Sequence, residues 1–150
     1  MIGLLQRVSE AQVAVEGRTV ARIGRGLLVL VGVQRGDTSA SADRLLERLV
    51  TYRVFPDDED RMNRSLADVD GALLLVPQFT LAADTDRGTR AGFSRAAPPD
   101  EGRRLFEYLV DIAKRRMPLV AAGVFGASMR VALVNEGPVT FWLEVPAGSN

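Results

Sequence analysis

Two stretches of the chain, LLVLVGV at residues 27–33 and GALLLVPQFTL at 71–81, run almost without a polar interruption. A strand lying on a surface alternates apolar and polar side chains, so an unbroken run describes a strand covered on both faces. A fold built on such strands needs a layer on each side of them. The 150 residues suffice for one domain with one continuous interior.

The rest of the chain supplies those layers. IGLLQRVSEAQVAV, the turn Glu16-Gly17-Arg18 and TVARI read as strand, turn and strand. Gly36-Asp37-Thr38-Ser39 offers turn and N-cap chemistry, after which Ala42, Leu45, Leu46, Leu49 and Val50 recur at helical spacing. A second helix opens at Pro98-Pro99-Asp100-Glu101, carries the stripe Leu105, Phe106, Leu109, Ile112 and Ala113, and closes on Lys114-Arg115-Arg116, the charge order that the helix dipole favours. YRVF reads as extended, residues 56–70 as an acidic loop, and the C-terminal third as two or three strands. Pro77 lacks a ladder donor and belongs at a strand end, an edge or a bulge. The expected fold is an α/β layered single domain spanning 1–150, with seven or eight strands, two main helices, mixed or antiparallel sheets, and a flexible tail at 146–150.

Chemistry is bounded by two absences: the sequence has neither Cys nor His. Thiolate catalysis, disulfides and Cys or His metal ligands are excluded, together with the commonest general base. Basic and acidic residues number 19 each, which argues against a protein holding long nucleic acid by neutralising many phosphates. Residues 84–130 carry nine basic and six acidic side chains, a local excess of three that suits either solvated faces or contact with one end of an RNA. No apolar segment approaches a membrane span and the N-terminus lacks signal-peptide character, so a cytoplasmic location is expected.

Four segments are candidates for a site. Pro77-Gln78-Phe79-Thr80 ends an apolar strand beside a long loop, Ala82 to Ala97, where sites are commonly built. Thr80 is either a hydroxyl nucleophile or donor, or a plain β-branched strand residue. Phe125-Gly126-Ala127-Ser128-Met129 is either a pocket lining or ordinary core. Asn135-Glu136-Gly137-Pro138 is either a hairpin turn with a trans proline or a bare, rigid turn that presents its carbonyls to another group. Asp57-Asp58-Glu59-Asp60 lacks the spacing of a calcium loop and reads as solvated.

Taken together, VPQFTLAADT at 76–85 and VNEGPVTFWLEV at 134–145 resemble the two signature motifs of the D-aminoacyl-tRNA deacylases, also called D-tyrosyl-tRNA deacylases. LLQRVSEAQVAVEG, GLLVLVGV, RMNRSL, RGTRAGFS and VFGASMRVALVN match in the same order, so the likeness covers essentially the whole chain. The resemblance implies a three-layer α/β/β fold and a homodimer with active sites at the interface. It also implies hydrolysis of the ester joining a D-amino acid, or glycine, to the acceptor end of tRNA, with no metal and no cofactor.

Residue by residue, the resemblance gives Gly137 and Pro138 the role of a cis Gly-Pro element that excludes L-amino acids. It places Gln78, Phe79 and Thr80 at the catalytic site, Phe125, Ala127 and Met129 in the substrate pocket, and Arg7 beside the Gly-Pro loop. Without His or Cys to activate it, Thr80 is expected to support the reaction rather than act as nucleophile, leaving backbone amides and the ribose 2′-hydroxyl to carry it. Two positions depart from the family pattern: Pro77 stands where Ser is usual, and Ala91 follows Arg90 where Pro is usual. Alternatives are a catalytically silent RNA-end binding module, and a related deacylase with a trans Gly-Pro acting on small L-aminoacyl-tRNA.

Overall fold

The structure, a computed structural model, describes residues 1–148. Among them the elements follow in the order β1 (Ile2–Val15), β2 (Arg18–Ile23), β3 (Gly26–Gly32), α1 (Ser39–Thr51), β4 (Phe55–Pro56), β5 (Met62–Arg64), β6 (Ala72–Pro77), a 3₁₀ helix (Phe79–Ala82), α2 (Pro99–Arg116), β7 (Val120–Ala122) and β8 (Arg130–Glu144). The main sheet has the order β2-β1-β3-β6-β7, with β8 along the other edge of β1. β3, β6 and β7 are parallel, and every pairing of β1 is antiparallel. The sheet is therefore mixed, as expected.

The two apolar runs became the parallel pair β3 and β6. Their alternate side chains enter two different cores, which is why neither strand carries a polar side chain. Leu27, Val29, Val31, Leu73 and Leu75 face the helices and meet Leu45 and Leu49 of α1 and Leu105 and Leu109 of α2. Leu28, Leu74 and Val76 face the opposite way and meet Val8, Val13, Ala21 and Ile23 from β1 and β2. The helices, the β3-β6-β7 part of the sheet and its β1-β2-β8 part make the three layers.

Local chemistry places the ends of these elements. The Thr38 N–H donates to Ser41 Oγ at 3.0 Å and starts α1. Asp37, 5% exposed, accepts from the Met1 ammonium at 2.8 Å and from the Gln34 N–H at 2.7 Å, so its buried charge is paired. The acidic segment 56–70 is a loop closed by the β4-β5 ribbon. There the Asn63 amide and the Arg61 and Glu59 N–H groups hold Asp57 below its ordinary carboxyl pKa. Just before the expected tail, Val145 is buried with its N–H on the Met1 carbonyl at 2.8 Å; within the tail Pro146–Gly148 are exposed, and 149–150 lie outside the described residues.

The stretch LVNEGPVTFW is not a hairpin. Both of its halves pair antiparallel with β1 in one direction, as parts of the single strand β8. Asn135 faces Val8 and Thr140 faces Gln6, so five steps along β8 span two along β1, and three extra residues bulge out of the ladder. Gly137 and Pro138 sit in that protrusion.

Candidate functional site

A cavity of about 420 Å³ opens at the carboxyl ends of β3 and β6, the place where open parallel sheets commonly hold ligands. Val31, Val33, Val76 and Pro77 supply its floor, Pro99, Gly102 and Phe106 of α2 one wall, and Phe125, Ala127 and Met129 the other, with Gln78 and Phe79 beside them. No lining side chain is ionisable.

Two glycines let these walls close. A Cβ on Gly102 would lie 3.4 Å from Phe125 Cζ, and one on Gly123 would lie 2.9 Å from Met129 Sδ, so bare backbone there lets both side chains pack inward. The Phe125 and Phe106 rings face each other with centroids 6.4 Å apart. Pro77 ends β6. The next N–H, from Gln78, donates to the Val31 carbonyl at 2.7 Å, so the ring nitrogen of Pro77 is turned away from β3, to the side where Cδ packs at Gly123. β7 has already ended there, at Ala122, and the missing donor leaves no ladder bond broken.

The 3₁₀ helix projects its residues to both sides of the site. Phe79 stands at the mouth, 57% exposed, and its ring meets Phe93 of the long loop at 5.2 Å. That loop is folded: Asp84 and Gly92 exchange backbone hydrogen bonds of 2.7 and 2.9 Å, and Arg95 holds Asp86 at 3.0 Å. The Gln78 side-chain amide donates to Thr80 Oγ1. Thr80 itself lies outside the main cavity, on a neighbouring depression with Arg95, Trp142 and Glu144. The Phe79 and Thr80 N–H groups have no backbone acceptor among the described residues, as the first donors of a helical turn do not.

Gly137 and Pro138 do not line this cavity. The bond between them is cis, and Gly137 has φ +131, a region that L side chains rarely adopt. The protrusion is clamped from both sides. Arg7 Nε donates to the Glu136 carbonyl at 3.1 Å while Nη1 donates to the Val54 carbonyl at 2.7 Å. The Val139 N–H donates to Asn135 Oδ1 at 3.1 Å, and Asn135 Nδ2 donates to Thr140 Oγ1 at 2.9 Å.

Thus Gln78, Phe79, Phe125, Ala127 and Met129 come together, Thr80 is adjacent, and Arg7, Gly137 and Pro138 form a separate unit. Phe106 and Gly102 line the cavity as well; Phe106 was legible only as part of a helix stripe and Gly102 not at all, because no local pattern shows which strand end a helix will cover. Among the described residues no three His, Cys, Asp or Glu side chains gather as a cation site.

The chain is similar in sequence and fold to known proteins. The family model described as D-Tyr-tRNA(Tyr) deacylase matches residues 4–144. A D-aminoacyl-tRNA deacylase of Nitrosococcus oceani is 62% identical over 146 residues, covering 97% of this chain and 94% of the relative. One from Thioalkalivibrio sulfidiphilus is 64% identical over 146 residues, covering 97% and 98%. Among solved structures, a c-Myc DNA Unwinding Element Binding Protein superposes with a TM-score of 0.93 at 33% identity, covering 98% of this chain and 100% of its own. A probable eukaryotic D-amino acid tRNA deacylase shares the fold, with a TM-score of 0.82 at 19% identity over 96% and 98% of the two chains. On the match along nearly its whole length and the identity above 60% to named enzymes, the chain belongs to the D-aminoacyl-tRNA deacylase family of hydrolases.

Proposed function

We propose that the chain acts as a homodimer on tRNA esterified with a D-amino acid or with glycine, and that Gly137-Pro138 of one copy completes the cavity of the other and turns away L-residues. The observation that supports this most is the chemistry of the cavity. Its walls are apolar, suited to a nucleoside and a side chain, and its polar elements are backbone and one amide rather than an acid or a base.

In this reading the terminal adenosine enters between the Phe125-Met129 wall and β6, with the ester at Gln78-Phe79. The free N–H groups of Phe79 and Thr80 accept the charge that develops on the carbonyl oxygen, a stabilisation that needs no titrating side chain. Water adds to the carbonyl carbon, the bond to the ribose oxygen breaks, and the proton passes to that oxygen through the neighbouring 2′-hydroxyl. Free amino acid and uncharged tRNA leave. Thr80 holds the Gln78 amide in place, because no group next to its hydroxyl takes its proton.

A wall of fixed carbonyls reads chirality by shape. Inverting Cα exchanges the side chain with hydrogen, so a wall that touches hydrogen in the D-series collides with the side chain in the L-series. Glycine has no side chain and passes. The edge strand β8, with Val134 half exposed at 50% and Trp142 at 51%, offers an unpaired surface beside Thr80 on which a second copy fits. A cytoplasmic site of action is part of the same proposal, since that is where charged tRNA is used.

Hydrolysis of D-tyrosyl-, L-tyrosyl- and glycyl-tRNA by the purified protein tests the reading: the first and third are released and the second is spared. In Pro138→Ala the rate on L-tyrosyl-tRNA relative to the D-form rises by about tenfold or more, the size of one lost steric clash. An unchanged ratio contradicts the role of the pair. The profile of kcat/KM against pH is expected to show no protein-derived bell between about pH 6 and pH 8.5, because no acid or base lines the cavity. An inflection that persists with a substrate lacking its α-amino group points to a titrating protein side chain.

A further inference from the structure

Arg103 differs from the other arginines of α2. Arg116 is hydrogen-bonded to Glu47 at 2.9 Å, and Arg104 and Arg115 are bonded to Glu101 and Asp111 on their own helix. Arg103 has no hydrogen-bond acceptor among the described residues, and its nearest carboxylate, Glu107, stays 3.8 Å from Nη1. An exposed pair at that separation holds a guanidinium only weakly.

Its position is nevertheless set. The guanidinium carbon lies 5.1 Å from the centroid of the Phe125 ring, a stacked cation-π arrangement. Gly126 turns the chain with φ +81, and a Cβ there would be 3.4 Å from Arg103 Nη2, so the bare turn lets the guanidinium approach. Phe125 lines the main cavity and also a second groove, where Arg103, Glu107 and Lys114 lie on one face of α2. The ring is therefore the partition between cavity and groove, with an oriented cation whose donors are uncommitted seated on it.

From this we infer that Arg103 binds the phosphate that joins the terminal nucleoside of the RNA to its predecessor. The inference rests on the proposed function. In this assignment the 5′-oxygen of a nucleoside packed on the inner side of Phe125 is directed past the ring edge, towards the guanidinium that stacks on the same ring. A planar fork of N–H donors suits a phosphodiester, and stacking keeps it pre-organised. Substrate is thereby recognised as the end of a chain rather than as a free aminoacyl nucleoside, without the large basic surface that this electrically balanced protein lacks.

The test compares inhibition of D-tyrosyl-tRNA hydrolysis by adenosine 5′-monophosphate and by adenosine. In the unaltered protein the nucleotide is expected to inhibit about tenfold more strongly, the size of one charge-assisted hydrogen bond. In Arg103→Gln that ratio falls to near one while adenosine inhibits as before, and the dependence of KM on salt loses about one unit of slope. Arg103→Lys keeps part of the ratio. Equal weakening of both inhibitors would overturn the assignment, since it marks Arg103 as a prop for Phe125 alone, and an unaltered ratio would overturn it equally. If the unaltered protein releases neither D-tyrosine nor glycine, the function itself fails; if it releases them and the ratio is one from the start, only the phosphate contact fails.

Discussion

Ala127→Trp is expected to lower kcat/KM on D-tyrosyl-tRNA by about 10²-fold or more while leaving the thermal midpoint close to that of the unaltered protein. Ala127 lines the cavity of about 420 Å³ on the wall that runs from Phe125 to Met129, where an indole would occupy the space that the proposed function gives to the terminal nucleoside. Displacing a reacting ester by even about 1 Å from its donors costs about 10²-fold, which sets the lower bound. Ala127 is only partly buried, in a turn rather than in either core cluster, so the added ring has an open cavity to enter and the fold is spared. Steady-state kinetics on D-tyrosyl-tRNA and a thermal melt check both halves. Activity retained with an intact fold would show that substrate binds elsewhere.

Gly26→Ala is expected to cost about 3 kcal/mol or more, at the upper end of what overpacking does, and to reduce soluble yield. Gly26 pairs with Ala72 at the start of the parallel β3-β6 ladder. A Cβ at position 26 would lie 1.8 Å from the Ala72 carbonyl oxygen and 2.7 Å from both its carbonyl carbon and its nitrogen. The clash is with backbone, so no side chain can swing aside. The Ala72 N–H also donates to the Arg25 carbonyl at 2.9 Å, a bond that any separation of the strands weakens. Urea unfolding, read as a shift in midpoint at constant slope, measures the loss. Gly24, with nothing within 4 Å of a Cβ, is the matched control, and Gly24→Ala is expected to shift the midpoint little.

Most of the architecture could be read from periodicity. The helix over Ser39–Thr51 was legible because Leu45, Leu46 and Leu49 repeat at its period, and the one over Pro99–Arg116 because Pro, acids and bases fall in dipole order. The β4-β5 ribbon was missed: its two strands have only five residues, and its register comes from hydrogen bonds around Asp57 that no pattern announces. The protrusion in β8 was read as turn or working part without a choice, since Gly before Pro fits both; only pairing of its two flanks with the same partner strand excludes a hairpin.

The candidate residues were named one by one through motif resemblance, yet their division into two groups was not legible. Gln78, Phe79, Phe125, Ala127 and Met129 converge on one cavity, whereas Gly137, Pro138 and Arg7 assemble apart from them. By itself, the sequence determined the buried strands, the two helices, the absence of thiol and imidazole chemistry, and the motifs that carry the family likeness, because these depend on composition and short-range spacing. Tertiary structure alone decided that β3 and β6 run parallel, that α2 closes a cavity at their carboxyl ends, and that Arg103 stacks on its wall. Those facts depend on contacts between residues far apart in the chain, whose partners are chosen by packing and chain reversal rather than by any local preference.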